Sequence, residues 1–329
     1  MRPEEEDLIA ALRSGDRSAL ARAITLVESR RPEDRARLSA VLAALTDPIA
    51  SLRIGITGIP GAGKSTLIDA LGSALLDRGH RVAVLAVDPS SQRSGGSILA
   101  DKTRMHRLST DPRAFVRPTA TGGTLGGIAL RTRETMLLCE AAGYDRVLVE
   151  TVGAGQNESD VDRVTDLTVL LLIAGAGDEL QGIKRGIMES ADVVVVTKTD
   201  RAPPAMVGAA VNDLVHALQL MPLRDGRRSP VLRCSAITGE GVDELASLLE
   251  DLGAQCRSTG SLMRRRNDQA VHWLHAGLGQ ALLEHALRDE RLAAALPGLE
   301  ARVSTGAIDP AVAVDQLMNL FRTGDAPPP

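Results

Sequence analysis

Apolar positions change their spacing twice along this chain of 329 residues. Up to about residue 48 they recur at helical intervals, as Leu20, Ile24 and Val27 and then as Leu38, Val41, Leu42 and Leu45, until Asp47-Pro48 ends the pattern. From Leu52 to about Leu252 short apolar runs alternate with helical stretches, and strands are expected at 53–57, 82–87, 146–150, 169–173, 193–197 and 231–235. The runs Val169 to Ile173 and Val193 to Val196 are apolar throughout, as expected for strands covered by helices on both faces. Such alternation implies an α/β fold with a mostly parallel sheet and ligand chemistry at the carboxyl ends of its strands. Beyond Gly260 the helical period returns through Val271, Leu274, Leu278 and Leu282, and Leu287, Leu292 and Leu296 extend it to Pro297. Asp309-Pro310 opens a last helix carrying Val314, Leu317 and Leu320, and the tail from Asp325 to Pro329 is expected to be disordered.

The first expected strand runs into Gly58-Ile59-Pro60-Gly61-Ala62-Gly63-Lys64-Ser65-Thr66, and a helical stripe (Leu67, Ile68, Leu71, Leu75) follows. This is the phosphate-loop pattern in strand–loop–helix context. Its glycines let backbone N–H groups converge on a polyphosphate, and the helix directs its positive end at the same anion. Lys64 is expected to reach the β- and γ-phosphates, and Ser65 to set its hydroxyl on a magnesium ion. The chain therefore reads as a P-loop nucleoside-triphosphate-binding domain over 49–255, with a helical extension over 1–48 and a helical arm over 256–329.

Composition narrows the class. Only four aromatic residues occur, Phe115, Tyr144, Trp273 and Phe321, and the net charge is −4. Neither a stacking surface for single-stranded nucleic acid nor a basic footprint for a duplex is present. Cys139, Cys234 and Cys256 have no metal or redox spacing and read as inert thiols in a reducing compartment. An acidic start (Glu4, Glu5, Glu6, Asp7) and the lack of a long apolar run lead to the expectation of a cytoplasmic protein with no membrane or nucleic-acid partner.

Three carboxylates are expected near the phosphate loop: Asp88 and Glu150 at strand ends, and Asp101 in a polar segment after Gly95-Gly96-Ser97. Magnesium takes one or two protein carboxylates directly, so they share the metal and catalytic roles in a way the sequence leaves open. Thr197-Lys198-Thr199-Asp200 resembles the Asn-Lys-x-Asp base-reading motif of GTPases. Asp200 can accept from both the ring N–H and the exocyclic amine of guanine, a pair that adenine lacks. Lys198 can lay its stem along the base. Thr197 departs from the pattern, and its hydroxyl cannot replace both functions of an amide, so weaker or relaxed guanine recognition is expected. Ser235, Ala236 and Ile237, followed by Gly239-Glu240-Gly241, match the second base-contacting loop. GTP is favoured over ATP.

The runs Asp88-Pro-Ser-Ser, Gly95 to Met105, Glu150-Thr-Val-Gly-Ala-Gly-Gln156 and Asp178 to Lys184 together resemble the MeaB/ArgK family, over nearly the whole chain. Its members are GTPase chaperones of adenosylcobalamin-dependent acyl-CoA mutases, methylmalonyl-CoA mutase above all. The resemblance implies a homodimer formed through the carboxyl-terminal helices, and GTP hydrolysis that gates cofactor loading and protects the mutase. It also assigns Asp88, Asp101 and Glu150 to magnesium and switch roles, and Lys184 to a third switch loop that includes Asp178 and Gln181. Gln156 is a candidate for orienting water. Two rival readings are a nickel metallochaperone GTPase, which would need a histidine cluster, and a nucleotide-dependent kinase, which would need an acceptor site.

Overall fold

The computed structural model describes residues 2–29, 31–45, 51–88, 105–120, 125–151, 161–174 and 185–323. They form two compact units, Met1–Ala270 and Val271–Pro329. The first unit is built on a seven-stranded parallel sheet: β1 (Leu52–Gly58), β2 (Val82–Asp88), β3 (Ala114–Ala120), β4 (Arg146–Thr151), β5 (Leu167–Ile173), β6 (Val193–Thr197) and β7 (Val231–Arg233). Their spatial order is β3-β2-β4-β1-β5-β6-β7.

Alternation along β5 and β6 explains why those strands had to be apolar throughout. Val169, Leu171, Val193 and Val195 join one core with α4 (Lys64–Asp77) and α9 (Val242–Ser258). Leu170, Leu172, Val194 and Val196 join a second core with α7 (Arg185–Ser190) and α8 (Pro204–Gln219). Both faces are thus covered, which is the usual condition of a parallel sheet. Two further helices complete the interior of the unit, α5 (His106–Thr110) and α6 (Leu125–Ala141).

Six of the seven strands coincide with the expected ones to within two residues; β7 stops at Arg233, two residues short of the run expected to 235. The strand β3 was not anticipated, because Pro118 and Arg117 interrupt its apolar pattern. It lies at the sheet edge, pairing only with β2, where a proline without an N–H costs no ladder bond toward a neighbour.

The amino-terminal helices α1 (Pro3–Arg13), α2 (Arg17–Glu28) and α3 (Pro32–Ala43) bury Leu12, Leu20, Ile24, Val27, Leu38 and Val41. Asp16 caps α2, accepting from the N–H groups of Ser18 (2.7 Å) and Ala19 (3.1 Å). The bundle packs on α6, with Arg35 paired to the buried Glu134 at 2.8 Å and Arg117 of β3 to Glu28 at 2.8 Å. Its apolar stripes are therefore spent inside the first unit. Asp47-Pro48 lies outside the described residues.

From α10 (Ser261–Arg288) the second unit takes all but the first turns, followed by α11 (Glu290–Ser304) and α12 (Pro310–Thr323). The helical stripe expected to run unbroken to Pro297 is in fact divided at Asp289. The Asp289 side chain accepts from the Arg291 N–H at 2.9 Å and starts a new helix, which continues past Pro297 to Ser304. Cap chemistry, not the proline, sets that boundary. The helix expected from Pro310 is present, with the Asp309 side chain accepting from the Ala311 N–H at 2.8 Å. The tail beyond residue 323 lies outside the described residues. Among the described residues, no helix is long and apolar enough to cross a membrane.

Candidate functional site

β1 lies between β4 and β5, so the loop that follows Gly58 emerges at the centre of the sheet's carboxyl edge. Gly58 has φ 150°, and a Cβ there would stand 2.4 Å from the carbonyl oxygen of Leu171. The loop can turn over β5 only without a side chain at this position. Gly63, at φ 86°, is the left-handed residue that precedes α4, and so aims the first turn of the helix back into the loop.

Lys64 is buried, with Nζ donating to the carbonyls of Gly58 (2.8 Å) and Ile59 (3.1 Å). The ammonium thus braces the loop it belongs to and stands where a polyphosphate would meet it. Pro60, Gly61 and Thr66 are exposed at the rim, and Ala62 is fully buried beneath it. Ser65 Oγ donates to Glu150 Oε1 at 2.7 Å. Glu150 is the penultimate residue of β4 and pairs in register with Ile56, which brings its buried carboxylate to the loop. A hydroxyl and a carboxylate so placed are the hard oxygen donors that suit Mg²⁺. Thr151 Oγ1 lies 3.1 Å from Thr57 Oγ1 under the loop, a buried tie that the motif does not announce.

The segment expected to read the base lies at the end of β6, two strands from β1. Lys198 takes φ 57° and leads into a 3-10 turn over Thr199–Arg201. A Cβ on Gly63 would lie 3.6 Å from Lys198 Cε, so the lysine stem runs beside the phosphate loop. Asp200 Oδ1 accepts from Ser235 Oγ at 2.6 Å, and Ser235 Oγ itself accepts from the Thr238 N–H at 3.2 Å. That donation from Ser235, more than the nearby Arg201 and Lys198, holds Asp200 below the usual carboxylate range and therefore ionised. Ala236 is half-buried and Ile237 is 70 % exposed beside them. Two loops read separately in the sequence thus meet through a side-chain hydrogen bond between residues 200 and 235.

Of the other expected site residues, Asp88 ends β2, paired with Ala120, and its backbone is at the same sheet edge. Asp101, Gln156, Asp178, Gln181 and Lys184 lie outside the described residues. The cysteines are buried, and burial pushes the Cys234 thiol up to about 12, which leaves it without nucleophilic character at neutral pH.

Residues 20–291 match the family model for the Methylmalonyl Co-A mutase-associated GTPase MeaB. The chain is 43% identical to the GTPase ArgK of Escherichia coli over 96% of both chains. It is 42% identical to the mouse mitochondrial methylmalonic aciduria type A homolog, over 96% of this chain and 79% of that one. Among solved structures it is similar to a LAO/AO transport system kinase, with a TM-score of 0.74 and 36% identity over 98% of this chain and 99% of that one.

Proposed function

The chain belongs to the MeaB family of methylmalonyl-CoA mutase-associated GTPases, and from that membership we propose that it is a GTP-driven chaperone of an adenosylcobalamin-dependent acyl-CoA mutase, gating cofactor loading and protecting the mutase. As a GTPase it binds GTP and hydrolyses it to GDP and phosphate. The chaperone reading rests on the family; the observation that most supports the nucleotide site it requires is the placement of the phosphate loop, the Ser65–Glu150 pair and the Asp200–Ser235 pair along one edge of the sheet.

In this proposal Lys64 and the loop N–H groups bind the β- and γ-phosphates and stabilise charge that develops as water attacks the terminal phosphoryl group. Ser65 and Glu150 would hold Mg²⁺, with Asp88 and Asp101 sharing its shell. When bound, the ion neutralises charge on the phosphoryl oxygens. Gln156 orients the attacking water, and Asp178, Gln181 and Lys184 carry the nucleotide state to the mutase. Asp200 receives the guanine N1–H and exocyclic amine, Lys198 covers the base, and the loop at Ser235, Ala236 and Ile237 closes over it. The whole assembly works in the compartment that holds the mutase, the cytoplasm in this proposal.

On the second unit, Val271, Leu274, Leu278 and Leu282 of α10 are each more than half exposed. An apolar stripe of this kind supports the reading of the carboxyl-terminal helices as the arm of a homodimer. Adding the cognate mutase is expected to raise GTP turnover severalfold, with label from γ-³²P-GTP recovered only as free phosphate, and the protein is expected to sediment as a dimer. A basal rate that no acyl-CoA mutase changes would remove the chaperone reading; label on an acceptor would favour a kinase, and a monomer would remove the arm's role.

Asp200→Asn supplies one donor and one acceptor where guanine needs two acceptors. GTP affinity is expected to fall roughly 10- to 100-fold, while xanthosine triphosphate, with a carbonyl in place of the amine, binds better than to the wild type. Competition titrations against a fluorescent GDP analogue check this, and unchanged GTP affinity would take Asp200 out of the base site.

A further inference from the structure

The strand that carries the base-reading turn is tied to the phosphate loop by one hydroxyl group. Thr197 closes β6 and is 5% exposed. Its Oγ1 lies 2.8 Å from the carbonyl oxygen of Ala62 in the phosphate loop and 3.0 Å from that of Leu172 in β5. Both neighbours accept only, and a threonine hydroxyl has a single proton to donate. That proton is therefore held between the loop and β5, and what remains on the oxygen is lone-pair density. Purine N7 is itself an acceptor, so the hydroxyl has nothing to offer it. An asparagine at the same position would carry two N–H groups on one nitrogen, enough to hold the loop carbonyl and still donate to N7.

We infer that Thr197 is a positioning residue that fixes the phosphate loop against the base-reading strand, and that this site leaves purine N7 unread. The inference rests on the proposed nucleotide site and adds how the purine is recognised there. Discrimination then falls on the Watson–Crick edge through Asp200, and affinity on the phosphates and on the loop geometry that Thr197 maintains. Loss of the Thr197 hydroxyl would remove its bond to the buried Ala62 carbonyl and with it the tie between loop and strand, which penalises every nucleotide alike and no particular base.

The test uses the full chain and calorimetric titration with GDP and 7-deaza-GDP, in which N7 is replaced by C–H. The wild type is expected to bind the two within about twofold of each other, whereas Thr197→Asn is expected to prefer GDP by about tenfold, the worth of one hydrogen bond of typical strength. Thr197→Val is expected to weaken both ligands by the same factor, about five- to tenfold, and Thr197→Ser, which keeps the hydroxyl, to restore both. A wild-type preference for GDP above about threefold, or a Thr197→Val protein that binds as the wild type does, overturns the inference. Should ADP bind in place of GDP, the guanine reading fails separately, and the adenine pair with and without N7 decides the present inference by the same criteria.

Discussion

Replacing Lys64 with alanine is expected to lower kcat/KM for GTP by roughly 10²- to 10³-fold, the range found when one preorganised donor is removed from a charge-developing transition state. The ammonium sits at the start of α4, buried to 9% exposure, with its hydrogen bonds directed at the backbone of its own loop. It is thus already desolvated and already aimed before nucleotide arrives. Little reorganisation is then needed for it to turn from the carbonyls of Gly58 and Ile59 to phosphoryl oxygens. Because those contacts brace the loop, a cost of about 1 kcal/mol in stability and a small fall in Tm accompany the kinetic loss. Phosphate-release kinetics at saturating and subsaturating GTP, with a melting curve as control, separate the two effects. A variant that keeps wild-type kcat/KM would show that the lysine braces the loop and does no more.

The placement of the candidate site was the legible part of this molecule. The phosphate-loop pattern, the acidic residue at the end of β4 and the two runs expected to read the base are contiguous in sequence, and each lies at a strand end once the sheet is assembled. Contacts between distant residues were not legible. Nothing near Thr197 announces that its hydroxyl reaches Ala62, and nothing near Ser235 announces Asp200. The edge strand β3 escaped because Pro118 breaks the apolar pattern, although an edge position tolerates it. The stripe on α10 was read correctly as helical, but periodicity is silent on exposure, and Leu274 proves to be 68% exposed where a core position would be covered. Lastly, the opposite edge of the sheet holds a charged network whose members are scattered over the sequence. Arg53 of β1 donates through Nε and Nη2 to Glu140 at 2.6 and 2.8 Å, and Arg266 donates to both oxygens of Asp166 at 2.8 and 2.6 Å.

That network carries the second large effect: Asp192→Ala is expected to destabilise the protein by about 3–5 kcal/mol, the cost of breaking a buried ion pair from one side. Asp192 has no exposed side-chain surface and stands at the foot of β6. It accepts from Arg227 at 2.6 Å, from Arg265 at 3.1 Å and from the Thr168 N–H at 2.9 Å, and the Arg224 guanidinium stands 3.0 Å away as a further charge partner, so it joins β5, β6 and the start of α10. Without it three guanidinium groups face one another around an emptied site. Burial alone would raise the pKa of Asp192, but Arg265 and Arg224, aided by the hydrogen bonds, outweigh it and bring the group below its ordinary value of 3.8. A carboxylate whose folded pKa is depressed contributes stability that is complete above the unfolded value and is lost as pH falls through the folded one. The difference in unfolding free energy between wild type and Asp192→Asn, measured in urea, is therefore expected to be constant from pH 7 to about pH 5 and to shrink below about pH 4. Asparagine keeps the bond to Thr168 and loses only the charge, which makes this pair the cleaner measure of the electrostatic part. A difference that does not change with pH would assign the loss to packing at the foot of β6 and leave the three arginines without a part in it.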